Sequence, residues 1–139
     1  FEAIWRYKWD LIILHPPCTA LAVSGNRWYA GTNERKRALY WTTVLWASAK
    51  RACDRVCLEN PVGLKLFNIK PQWIQPWQFG HPETKKTGLW LHGLPPLRPT
   101  KVVEPTQQRI WKMPPGPNRA RDRSETYQGI ANAMAKQWG

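Results

Sequence analysis

Acidic residues are scarce in this chain: 9 Asp and Glu stand against 21 Lys and Arg, a formal net charge of +12. Such an imbalance favours a polyanionic partner, with nucleic acid first among them. A generally basic protein without such a ligand is the alternative. Cysteine is also sparse, and the count of 3 is odd. That excludes a disulfide framework and fits a reducing compartment. No apolar run approaches the roughly 18 residues of a membrane span. Nothing at the start has the pattern of a signal peptide, so a cytoplasmic protein is expected. No Walker loop, GxGxxG or HExxH occurs, and there is no internal repeat or low-complexity tract. His15, His81 and His92 are scattered. Cys53 falls at a helix end and Cys57 in a strand, where both read as core residues. No metal site is expected.

What the chain does have is tryptophan, 10 of them, and a hydrophobic share of 42%. The length suits one domain with a real core. Some tryptophans must pack inside, while those interleaved with Arg and Lys are suited to stacking on bases. The stretch WDLIILHPPCTALAVSG, Trp9 to Gly25, organises the rest. Its apolar run stops at His15-Pro16-Pro17-Cys18, which reads as a buried strand from Asp10 to His15 ending in a stiff turn. Open α/β sheets place their chemistry outside the carboxyl ends of strands. Cys18 is therefore a candidate nucleophile, or else a small buried residue in a tight turn. Both readings stand on this stretch alone.

Phe1 to Lys8 reads as a short helix or the end of a connection. Because the chain runs almost at once into a core-type strand, part of the fold is expected to precede Phe1. Cys18 to Gly31 reads as an ordered loop offering Arg27, Trp28 and Tyr29 to a ligand. Thr32 or Asn33 suits a helix N-cap. From Glu34, Ala38, Trp41, Leu45, Ala49 and Ala52 recur at helical spacing, predicting a helix to about Ala52 with that stripe inward. Val56-Cys57-Leu58 is the next apolar run, closed by Glu59-Asn60-Pro61. Strand, helix and strand in succession predict a βαβ unit with parallel strands. Neighbouring strands lie about 4.8 Å apart, so Cys18 and Glu59 are expected at adjoining strand ends, within reach of one ligand. A thiol and a carboxylate there suit covalent catalysis with an acid partner. A salt-bridged or capping carboxylate is the alternative for Glu59.

Residues 61 to 83 alternate basic and aromatic side chains between prolines and read as a loop carrying Lys65, Lys70, Trp73 and Trp77, either against nucleic acid or packed over the sheet. Gly88 to Gly93 is a third strand. A basic loop from Gln108 to Arg123 holds Arg109, Lys112, Arg119, Arg121 and Arg123, suited to phosphate contact. A terminal helix from Tyr127 to Gln137 is predicted to bury Ile130 and Met134, with Trp138 on the same face.

Pro16-Pro17-Cys18 after a strand, with Ser24 beyond it, resembles the PPC motif of C5-cytosine DNA methyltransferases. Glu59-Asn60 at the end of the next strand is similar to that family's ENV motif. Thr84 to Gly93 resembles its arginine-containing segment, with Lys85 and Lys86 where arginines stand. Gln128 to Ala133 resembles its final motif beside the cofactor. The chain as a whole resembles small phage-encoded cytosine methyltransferase-like proteins that share HPPC, ENP, QPWQFGHPETK and MPP-P segments.

The resemblance implies an α/β fold with a partial Rossmann-like class I methyltransferase sheet, mostly parallel, carrying proline-rich basic loops. It implies attack by the Cys18 thiolate on C6 of a flipped cytosine. Glu59 would hold N3 and the exocyclic amine, and the methyl group would pass from S-adenosylmethionine to C5. Pro17, Ser24, Asn60, Pro61, Lys85 and Lys86 would line the substrate, and His15, Pro16 and Asn132 the cofactor. DNA would be the partner of the basic residues. The family's glycine-rich cofactor loop belongs before the PPC strand, so residues 1–139 read as the catalytic half of such a domain, N-terminally incomplete or completed by dimerisation. The recognition segment is short, which leaves two alternatives: a non-catalytic nucleic-acid-binding protein on this scaffold, and an enzyme acting on free cytosine nucleotides.

Overall fold

The computed structural model describes residues 1–17, 30–61, 65–106 and 126–139. Helix α1 (Glu2–Arg6) precedes strand β1 (Ile12–Leu14), which is shorter than the predicted Asp10 to His15. Pro16 and Pro17 follow one residue later and, lacking an N–H, cannot extend a ladder. Helix α2 spans Asn33–Ala52. Thr32 caps it, its Oγ1 accepting the Arg35 N–H at 3.2 Å. At the other end the Cys53 N–H donates to the Ala49 carbonyl.

The buried face of α2 is turned from the predicted stripe. Leu45 and Ala49 are inside as expected, but Trp41 is exposed, and Arg35, Thr42 and Trp46 are buried. Trp46 decides the rotation. Its indole stacks on Phe67 with centroids 5.0 Å apart and planes 10° from parallel. Trp41 instead meets Phe1 on the outside, 5.6 Å away.

Strand β2 (Val56–Pro61) pairs in parallel with β1, in the register Ile12↔Val56, Ile13↔Cys57 and Leu14↔Leu58. With α2 between them, the two strands form the expected βαβ unit. Two further strands, β3 (Gln72–Ile74) and β4 (Thr87–His92), complete a four-stranded sheet in the order β1-β2-β4-β3. The sheet is mixed, only partly parallel, which corrects the expectation of a mostly parallel one. Between β3 and β4 there is a 3-10 turn at Pro76–Gln78 where a parallel crossover would carry a helix. β3 lies in the stretch read as a loop. Pro71 and Pro76 bound it, and three residues are too few for alternation to register.

The described residues divide into two compact units. The first comprises Phe1–Gln72 and Gly88–Pro96. Its core joins Leu14, Leu45, Trp46, Ala49, Cys53, Val56, Leu58, Leu66 and Trp90. Gly93 is required here: its φ is +68°, and a Cβ would collide with the Asp54 carbonyl oxygen. The second unit comprises Trp73–Thr87 and Leu97–Gly139. It contains helix α3 (Gln128–Trp138), which buries Ile130, Ala133, Met134 and Trp138, the face the spacing predicts. Gln137 fastens this helix to Arg98 by two hydrogen bonds, 2.8 and 2.9 Å. No helix among the described residues is long and apolar enough to cross a membrane.

Candidate active site at the strand ends

β2 is buried on both faces, with Val56, Cys57, Leu58 and Asn60 all 0% exposed. Such burial is the rule for an inner strand of a sheet covered by helices. A strand of this kind normally carries only apolar side chains, yet this one ends in Glu59-Asn60. Side chains alternate along a strand, so Glu59 shares a face with Cys57 and Asn60 the opposite face with Leu58.

The parallel register brings the next residues of both strands side by side. His15 Nδ1 lies 3.6 Å from Glu59 Oε2, the carboxylate buried and the imidazole about half exposed. The turn at His15-Pro16-Pro17 therefore starts beside Glu59, with Pro16 buried and Pro17 exposed. Asn60 is the anomaly. Neither Oδ1 nor Nδ2 of its fully buried side chain has a hydrogen-bond partner among the described residues. Burying an unpaired amide costs about 1–3 kcal/mol by protein mutational data. A buried group of this kind calls for an explanation, and use by a ligand is one.

Cys57 has a different character. Burial, reinforced by the Glu59 charge, pushes its thiol far above the ordinary value. It stays protonated and cannot serve as a nucleophile. Cys53, also buried, points its Sγ at the Trp9 and Arg55 carbonyls, 3.2 and 3.3 Å away. Both fit the core role expected of them. No cluster of metal-binding side chains occurs among the described residues.

Of the sequence-derived site residues, the structure brings together His15, Pro16, Pro17, Glu59, Asn60 and Pro61 in the first unit. Lys65 and Lys70 are exposed there. In the second unit, Lys85 donates its N–H to Gln75 Oε1 at 2.8 Å and holds its ammonium 5.8 Å from the Tyr127 ring centroid. Lys86 is exposed, its ammonium 4.6 Å from the centroid of Trp73. Asn132 stands on the exposed side of α3, its Oδ1 accepting from Gln128 Nε2 at 2.7 Å. Cys18, Ser24, Arg27, Arg109, Lys112, Arg119, Arg121 and Arg123 lie outside the described residues.

One polar cluster escaped the sequence reading. His81 Nε2 accepts the Gly129 N–H at 2.9 Å, so the neutral ring carries its proton on Nδ1. Its ring leans on Tyr127 at 5.1 Å, and the Tyr127 hydroxyl donates to Glu83 Oε2. Gly129 is obligatory because a Cβ there would strike the Phe79 carbonyl oxygen. The available signal was the run of polar residues His81, Glu83 and Lys85 around Pro82. Compared with protein-family models, curated proteins and solved structures, the chain matches none of them.

Proposed function

We propose that the chain carries the nucleophile and base-holding half of a C5-cytosine DNA methyltransferase, built on a partial Rossmann-like sheet. The observation that carries the reading is the buried Glu59-Asn60 pair at the end of β2, beside the strand that runs into Pro16-Pro17-Cys18. The Glu59 carboxyl group, with the Asn60 amide that has no partner among the described residues, matches the N3 and exocyclic amine edge of cytosine. The Cys18 thiolate adds to C6, forming a C–S bond and moving the C5=C6 electron pair onto C5 and into the ring. Glu59 in its protonated form donates to N3 and returns to the carboxylate as N3 takes the proton, which neutralises that charge. C5 then takes up an electrophile. Loss of its original hydrogen as a proton restores the double bond and expels the thiolate.

S-adenosylmethionine would supply a methyl group as that electrophile. The described residues do not make a cradle for it. Asn132 is occupied with Gln128 on an exposed helix surface, and His15 is turned to Glu59.

The chemistry of Cys18 and Glu59 is testable without it. With cytosine-containing DNA in heavy water, reversible addition at C6 exchanges the C5 hydrogen for deuterium. Mass spectrometry of the recovered deoxycytidine is expected to show that exchange, lost in Cys18→Ala and reduced at least tenfold in Glu59→Gln. Absence of exchange with the parent chain refutes the catalytic reading. The exposed position of Asn132 favours a second reading, a non-catalytic DNA-binding protein on the same scaffold. It predicts salt-sensitive DNA binding, equal in Cys18→Ala, with no exchange.

A further inference from the structure

The first unit presents a group of exposed aromatic rings that the chemistry at Glu59 does not use. Trp5, Tyr7 and Tyr40 are 53%, 55% and 74% exposed, and Phe1, Trp9 and Trp41 are also open to solvent. Tyr40 precedes Trp41 on α2, and the other five rings belong to one surface. Phe1 touches Trp41 on α2, and Trp5 on α1 lies 6.0 Å under the Arg51 guanidinium at the end of α2. Tyr7 meets Trp9 edge-on at 5.5 Å, and Trp9 Nε1 ties back to the Ala3 carbonyl at 3.0 Å. α1 leads into the amino end of β1, whereas His15 and Glu59 stand at the carboxyl ends.

We infer that this surface binds single-stranded nucleic acid, its rings stacking on unpaired bases and its cations contacting the phosphates. Three observations carry the inference. The six rings are each 41% to 74% exposed, which leaves aromatic surface open to a ligand. Cations are interleaved with the rings: Arg6 lies 5.8 Å from the Tyr7 centroid, Arg51 sits over Trp5, and Lys8 and Arg37 are exposed nearby in sequence. Of the acidic residues here, Glu2 is already paired with Arg6 at 3.8 Å. Aromatic faces alternating with positive charge are the recurring means of holding a single strand without reading its sequence. The +12 charge supplies the long-range attraction. This inference does not depend on methyl transfer.

The test is fluorescence anisotropy of the 139-residue chain with labelled oligo(dT), beside a duplex of equal length. Tyr40→Ala and Trp5→Ala truncate exposed side chains, so folding is retained, and circular dichroism verifies it. Each is expected to weaken oligo(dT) binding about tenfold, the worth of one stacked base, and to leave duplex binding within twofold. The parent tryptophan fluorescence is expected to be quenched on binding. Cys18→Ala is expected to bind oligo(dT) like the parent, which separates this surface from the proposed catalytic site. Unchanged affinity in both aromatic variants overturns the inference, as does an equal loss for duplex and single strand. Concentration-dependent self-association that both variants abolish would make the surface a protein interface and overturn it too.

Discussion

Replacing Asn60 with leucine tests whether the end of β2 is built for stability or for a ligand. The two side chains have the same branched skeleton, so the substitution changes polarity more than shape. In the parent, both amide heteroatoms are buried without a partner among the described residues. Relieving that burial returns about 1–3 kcal/mol, and the added apolar contact favours the variant further. Asn60→Leu is therefore expected to be more stable by about 2 kcal/mol, read as a higher urea midpoint with an unchanged slope in far-ultraviolet circular dichroism. The sign is unusual, because most substitutions at fully buried positions destabilise. The same variant is expected to lose cytosine C5 exchange, the trade of stability against function seen where a polar group is kept for a ligand. A variant destabilised by more than about 1 kcal/mol would mean that the amide makes a structural bond, and would remove the main support for the functional reading.

Two further outcomes follow from other buried groups. Cys57 keeps its proton in the folded state, whereas in the unfolded chain it ionises around the ordinary value of 9.0. Above that pH the unfolded state binds fewer protons, so folding stability falls by up to about 1.4 kcal/mol per pH unit on this account. Urea unfolding at several values between pH 8 and 10 is expected to show a shallower decline in Cys57→Ala, and parallel curves would refute the assignment. At Gly93, alanine would meet the Asp54 carbonyl oxygen and strain a φ of +68°. Gly93→Ala is expected to lower stability by at least about 2 kcal/mol, measured in the same way, and a neutral effect would contradict the packing of that turn.

Much of the first unit was legible in the chain. Apolar runs bounded by proline gave β1 and β2, and the Thr32 cap with helical spacing gave α2, because these signals are local. The adjacency of His15 and Glu59 followed from one rule, that strands joined by a helix pair in parallel. The stripe of α2 was less legible. Trp41 and Trp46 are equally apolar, and only the positions of Phe67 and Phe1 decide which faces inward.

By itself, then, the sequence determined the basic charge, the βαβ unit and the polar close to its second strand, since each rests on composition or on neighbours along the chain. Tertiary structure alone decided three things. β3 and β4 join the sheet, and the sheet is mixed, because strand pairing depends on partners distant in sequence. His81, Glu83 and Tyr127 meet around Gly129, because that contact closes a long loop. And Asn60 is buried with its amide unpaired among the described residues, because hydrogen-bond satisfaction is a property of the surroundings and not of the residue.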